Sequence, residues 1–207
     1  MCDMQRPALE EKRRAAAVIG GDGRQRRYDF TGIRPAAAPL PMSDTADTAL
    51  LDAARADFIT HHVSILVGSC NARCEPAVVR AFGCRVAPDR RSVTVFLAVP
   101  HSTAVLADLR AGGGIAVVFS WPTTHETVQL KGMTARIEPL AEGDRELMRV
   151  YGRSFAEEIG TIGFEDPFRQ AIMAGIEGEV VAVTFVPSAA FEQTPGPAAG
   201  QPLAARS

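Results

Sequence analysis

An α+β fold, in which six antiparallel strands form a closed or split barrel covered by two or three helices, is what the sequence predicts, on three observations. Apolar, β-branched runs at 62–68, 76–86 and 93–99 are separated only by turn residues, Asn71-Ala72-Arg73 and Pro88-Asp89-Arg90-Arg91, and so read as an antiparallel meander. Three further runs, 115–121, 125–139 and 179–186, have the length and composition of strands. Stretches of helical period are few and mostly connect or cover strands, which disfavours the regular strand–helix alternation of a doubly wound parallel fold.

The elements follow in order. Asp47 and Thr48 supply capping groups, and Leu50, Leu51, Ala54 and Phe58 recur at the spacing of one helical face. The strand at 62–68 is next, then 76–86, interrupted by Gly83, then 93–99. Pro100-His101-Ser102 ends that strand, and Val105, Leu106 and Leu109 mark one face of a helix stopped by Gly112-Gly113-Gly114. That glycine run follows a helix and precedes a strand, the reverse of a dinucleotide-binding loop. The strand at 115–121 is almost continuously apolar and is bounded by Pro122. The longest strand, 125–139, places Thr127, Gln129 and Lys131 on one face and Val128, Leu130 and Gly132 on the other. Leu147, Val150, Tyr151, Ser154, Phe155 and Ile159 trace an amphipathic helix, 167–175 adds a shorter one, and 179–186 is the last strand.

Composition divides the chain. Residues 1–43 carry eight basic against five acidic groups, are rich in Ala, Gly and Pro, and hold no sustained period, which reads as a flexible arm. Residues 44–193 read as one folded domain and 194–207 as a flexible tail. A formal net charge of −2 provides no basic field for nucleic acid. No run approaches the roughly 18 apolar residues of a membrane span, so neither nucleic acid nor membrane is an expected partner. Four cysteines, Cys2, Cys70, Cys74 and Cys84, with no secretory signal recognised ahead of them, point to free thiols in a reducing compartment and to a cytoplasmic location. Their spacing matches no zinc pattern, so no metal is expected, and no G-x-S-x-G elbow marks a serine nucleophile.

One corner of the sequence carries candidate chemistry. At Pro100-His101-Ser102-Thr103-Ala104 a strand feeds a helix; Ser102 is a suitable N-cap, and the free N–H groups with the helix dipole make an anion site. The neighbouring strand Arg80-Ala81-Phe82-Gly83-Cys84-Arg85 offers two guanidinium groups. Simple alternation puts Arg80 and Arg85 on opposite faces. Either a bulge at Gly83 turns both toward one ligand, or one points to solvent. The histidines His61, His62, His101 and His125 leave haem as a less favoured alternative.

In this order and near this spacing, residues 48 to 140 resemble the flavin-binding split-barrel family that includes pyridoxamine 5′-phosphate oxidase. The R-x4-K strand of that family resembles Arg80 to Arg85, with Arg in place of Lys, and its strand–Ser–helix phosphate corner resembles His101-Ser102-Thr103. Its apolar strand ending in Trp-Pro resembles Val117-Val118-Phe119-Ser120-Trp121-Pro122, and its V-x-[VL]-x-G strand resembles Val128-Gln129-Leu130-Lys131-Gly132. The resemblance implies a six-stranded split barrel and a homodimer with FMN at the subunit interface. It also implies an oxidoreductase that passes hydride through the flavin to or from a small molecule. Arg80, Arg85, Ser102 and Thr103 would contact the phosphate. The backbone of Ala81, Phe82, Gly83, Leu97 and Ala98 would run beside the ring, and Thr127, Gln129 and Lys131 would supply polar contacts. No protein acid or base can be named as catalytic. Two departures stand out: Thr103-Ala104 replace an Arg-Lys pair, and the C-terminal Trp and R-x-H of the true oxidases are absent. The cradle is therefore less basic. Efficient production of pyridoxal phosphate is not expected, and a deazaflavin reductase of the same fold, or a non-enzymatic flavin or haem binder, are the alternatives.

Overall fold

The computed structural model describes residues 17–19, 25–27 and 50–204. The capping groups expected at Asp47 and Thr48 lie outside the described residues. Within the N-terminal unit, Met1–Thr45, two short strands pair antiparallel: β1 (Ala17–Ile19) and β2 (Gln25–Arg27). Composition alone did not suggest them.

The second unit, Ala46–Ser207, is an α+β assembly of two antiparallel sheets. Its strands are β3 (Ser64–Cys70), β4 (Pro76–Arg80), β5 (Cys84–Val86), β6 (Val93–Ala98), β7 (Ile115–Ser120), β8 (Thr127–Gly132), β9 (Ala135–Glu138), β10 (Val180–Phe185) and β11 (Ala189–Glu192). One sheet has the order β11-β8-β7-β3-β4 and the other β5-β6-β10-β9. The six expected strands are thus nine, in two sheets rather than one closed barrel. Two long runs break where they bend from one sheet to the other: 76–86 becomes β4 and β5, and 125–139 becomes β8 and β9. The expected three-strand meander is accordingly two hairpins, β3–β4 and β5–β6, in different sheets. The strand β11 lies beyond 179–186, read as the last strand, and pairs with β8.

The first bend is abrupt. The Ala81 amide donates to Ile65 O at 3.0 Å in the five-stranded sheet, and the next amide, Phe82, donates to Phe96 O at 2.9 Å in the four-stranded one. Gly83 sits there at φ +116°, a conformation that side chains rarely adopt, while Tyr151 and Leu147 pack over it. At the second bend a Cβ on Gly132 would lie 2.8 Å from the Phe185 ring, so only glycine lets the strand turn so tightly against β10. Between the sheets lies the core, Ile65, Val67, Val117, Phe119 and Leu130 from one side and Val95, Leu97, Val183 and Phe185 from the other, all 2% exposed or less.

Four helices cover this core: α1 (Ala53–Thr60), α2 (Thr103–Arg110), α3 (Asp144–Thr161) and α4 (Asp166–Glu177). The Asp52 carboxylate caps α1, accepting from the Arg55 amide at 2.7 Å. Gly112 (φ +84°) ends α2 as the sequence anticipates. Met148, Tyr151, Phe155 and Ile159 form the buried stripe of α3. Residues 194–204, read as a loose tail, run back along β11: Leu203 N–H donates to Ala190 O at 2.8 Å, and the Arg55 guanidinium donates to Ala204 O at 2.9 Å. Among the described residues no helix is long and apolar enough to cross a membrane.

Candidate functional site

Strand register sorts the five-stranded sheet into a buried face and an open one. Residues opposite one another across antiparallel strands share a face, and the open face is built of three rows. The central row reads Arg80–Leu66–Val118–Gln129–Phe191 from β4 to β11. On one side of it run Ser64, Ser120 and Thr127, and on the other Val78, Gly68, Ala116, Lys131 and Ala189. Leu66 is 39% and Val78 68% exposed, and Val118, Gln129 and Phe191 are half-buried. Thr127, Gln129 and Lys131 therefore do share one strand face. Their surroundings differ. The Thr127 hydroxyl is buried and donates to His125 O at 2.8 Å, beside the Ser120 hydroxyl. The Gln129 carboxamide accepts a long hydrogen bond of 3.4 Å from Gln193, and the Lys131 ammonium lies 4.8 Å from the Phe191 ring centre.

At the β4 end of the central row Arg80 is half-buried. Its guanidinium donates to the Ser64 hydroxyl at 3.1 Å and stacks over Phe155 of α3 at 5.4 Å, with no carboxylate partner among the described residues. Arg85 is placed differently. Its Nε donates to Asp144 Oδ1 at 2.9 Å, where the carboxylate side chain is 3% exposed and its other oxygen accepts from the Ala141 amide at 2.8 Å. Asp144 is also the first residue of α3, where the helix dipole favours a negative charge. The charge of Arg85 is thus neutralised within the protein. Register separates it from the α2 corner as well. Arg85 faces Thr94, four positions along β6 from Ala98, which is roughly 13 Å at the rise of a strand. A shared ligand for Arg80, Arg85 and the corner serine is not what the structure builds, because Gly83 turns the chain between sheets instead of bulging one strand.

The α2 corner also departs from expectation. Ser102 is 1% exposed and makes no side-chain cap; its hydroxyl donates backwards to Ala98 O at 2.7 Å. Thr103 and His101 are exposed beside it. The backbone expected to run along a ring is largely committed to joining the sheets. Ala81, Phe82 and Phe96 N–H groups are all bonded, Gly83 O accepts from Phe96, and Leu97 and Ala98 pair with Val181 and Val180. Ala81, Leu97 and Ala98 are buried, and Phe82 is 8% exposed under Gly175 of α4.

The histidines do not converge on one point. His61 Nδ1 lies 2.6 Å from Asp57 O, while His62 packs edge-on to Trp121 at 4.5 Å and faces Glu158 at 3.5 Å. Trp121 Nε1 donates to Glu158 at 2.7 Å, so the Trp-Pro end of β7 is pinned to α3. Three residues of the open face, Leu66, Val118 and Phe191, escaped the sequence reading. The available signal was the unbroken apolarity of 115–119, since a strand that faced plain solvent on one side would alternate.

No protein-family model matches the chain, and no curated protein matches it. Solved structures do. A candidate pyridoxamine 5′-phosphate oxidase from Lactobacillus delbrueckii is 12% identical at a TM-score of 0.44, over 70% of this chain and 97% of that one. The likeness is to pyridoxamine 5′-phosphate oxidase-like and FMN-binding proteins. A pyridoxamine 5′-phosphate oxidase-related, FMN-binding protein from Nostoc punctiforme is 13% identical at a TM-score of 0.38, covering 70% of this chain and 81% of that one. An F420 reductase is 10% identical at a TM-score of 0.39, covering 65% and 93%.

Proposed function

We propose that the open face of the five-stranded sheet binds FMN, or alternatively a deazaflavin, and that the protein is an oxidoreductase acting on a small molecule. The observation that carries this reading is Arg80, a half-buried guanidinium without a counter-ion among the described residues, at the margin of a partly apolar face. A cation held in that way favours an anionic group, and a guanidinium suits the geometry of a phosphate. Leu66 and Val118 then offer an apolar bed for a flat ring, and the Gln129 carboxamide, two strands from Leu66 and so about 10 Å away, offers a donor and acceptor for its polar edge. A bound flavin or deazaflavin supplies the hydride chemistry, and the chain supplies orientation and shelter from water.

Shelter requires a second surface. The open face carries Leu66, Val78, Val118 and Phe191, an apolar patch that a second copy of the chain would cover, so the functional form in this reading is a homodimer. With Arg85 engaged by Asp144 and Ala104 uncharged, the cradle has one strong cation, which suits a cofactor with a single phosphate group.

The test is optical titration of the purified protein with FMN and, separately, with an 8-hydroxy-5-deazaflavin. Binding of one of them is expected, and Arg80→Ala should weaken it by roughly 10- to 100-fold, the worth of a charge-assisted hydrogen bond. Arg85→Ala should leave affinity nearly unchanged. Absence of binding by the native protein, or equal affinity in the Arg80 variant, overturns the site.

A further inference from the structure

The chain carries a second chemical feature, remote from Arg80, at the tip of the β3–β4 hairpin. Cys70 ends β3 opposite Pro76, and the turn that follows is tightly organised. Asn71 N–H donates to Glu75 O, Cys74 N–H donates to Asn71 O at 2.9 Å, and the Asn71 carboxamide oxygen accepts from the amides of Arg73 and Glu75. This arrangement folds residue 74 back toward residue 70, and the Cys70 thiol, at 3.5 Å, donates to the same Asn71 carbonyl that accepts from the Cys74 amide. Both cysteines are exposed. The position that Cys74 occupies has φ +60°, a left-handed turn position at which glycine or asparagine is the ordinary choice.

The third described cysteine sets the contrast. Cys84 is 2% exposed, its thiol donates to Ile59 O at 2.9 Å, and burial pushes it far up, so it is inert. Cys2 lies outside the described residues. Partial desolvation, then the Cys74 thiol, then the Asp108 carboxylate push the Cys70 thiol above its ordinary value of 9.0, so its sulfur rests as a thiol at neutral pH. Among the described residues no third side chain joins them to make a metal site.

We propose that Cys70 and Cys74 are a redox-active dithiol that closes to an intramolecular disulfide by exchange with a low-molecular-weight disulfide such as oxidised glutathione. One protein thiolate attacks a sulfur of the small disulfide and expels the first small thiol. The second protein thiolate then displaces the other small thiol from the mixed disulfide. Two protein thiols and one small disulfide become one protein disulfide and two small thiols. The protein sulfurs lose two electrons, the small disulfide gains two, and the two protons pass to the departing thiolates. The hairpin turn supplies the proximity that makes the second displacement intramolecular. The segment is not isolated, since Ser69 donates to Asp108 of α2 at 2.6 Å and Gly113 packs close to Cys70 O, so the state of the turn is felt at the end of α2.

The experiment exposes the full-length Cys2→Ser protein to oxidised glutathione, blocks residual thiols by alkylation and measures intact mass without reductant. Expected is a loss of about two mass units, for two hydrogens, restored by dithiothreitol. A non-reducing tryptic digest should contain one species spanning residues 56–80, which reductant and trypsin resolve into 56–73 and 74–80, because Arg73 lies between the cysteines. Cys74→Gly, which the positive φ accommodates, should instead retain a glutathione adduct on Cys70. Alkylation of both cysteines after treatment, or adducts on the native pair that never close, overturns the proposal.

Discussion

At the scale of single residues, Tyr151 shows how a buried polar group is kept affordable. Its hydroxyl donates to Val63 O at 2.8 Å from a site 5% exposed, and its ring stacks on Phe155 at 5.7 Å. Burial pushes the phenol far up, so it stays protonated and remains a donor at neutral pH. Tyr151→Phe should cost roughly 1–2 kcal/mol in denaturant unfolding, since the Val63 carbonyl is left without its partner. An unchanged midpoint would show that water reaches that carbonyl. Because the Tyr151 ring stacks on the Phe155 ring that floors the Arg80 guanidinium, the variant also reports on the site. Its flavin affinity should fall less than that of Arg80→Ala, as Phe155, not Tyr151, lies under the guanidinium.

At the scale of elements, the C-terminal segment shows what composition conceals. Ala, Gly and Pro enrichment suggested a loose tail, but the segment is held by hydrogen bonds to other strands and to its own neighbours that overall composition does not record. The Glu192 carboxylate accepts from Thr194 N–H at 2.8 Å, and the Thr194 hydroxyl accepts from the Thr127 amide at 2.9 Å. The Thr194 side-chain and backbone hydrogen bonds hold the Glu192 carboxyl below its ordinary 4.5. A depressed carboxylate stabilises the folded form fully above 4.5 and loses that contribution as pH falls through its lower folded value. The Leu203 amide resonance should therefore shift on acidification below pH 4.5, and Glu192→Gln should flatten that response; an identical acid profile in the variant would refute the link. The two sheet-to-sheet bends were legible only as glycines. Gly83 and Gly132 interrupt otherwise good strands, but whether a glycine bulges a strand or carries it into another sheet is decided by what packs on it, Tyr151 in one case and Phe185 in the other. Helix α2 and its glycine stop were readable because their signals are local. The pairing of Arg85 with Asp144 was not, because 59 residues separate the partners.

At the scale of the whole molecule, the open sheet face is the feature that asks for company. In the proposed homodimer Val118 lies at the centre of the buried patch, and Val118→Arg should convert a dimeric sedimentation profile to a monomeric one while abolishing flavin binding. A native protein that sediments as a monomer would refute the dimer, and a monomeric variant with full cofactor affinity would show that one subunit suffices. The expected polar strip of Thr127, Gln129 and Lys131 emerged on this face because strand alternation is a robust local rule. The apolar residues beside it come from β3, β4, β7 and β11, and no single stretch of sequence shows which strands are neighbours.

Strand order has a further consequence, for how the chain is made. The strand β10 lies between β6 and β9, and β11 forms the edge beside β8, so both sheets await strands made after the rest of their partners. A nascent chain halted before residue 180 would hold β6 and β9 with their partner missing, two exposed strand edges of the kind that recruit other chains. Synthesis therefore leaves both sheets unfinished until β10 and β11 have been made. Ribosome-bound chains truncated at 178 should remain protease-sensitive and chaperone-bound, whereas those extended well past 204, far enough to clear the exit tunnel, should become resistant in a single step.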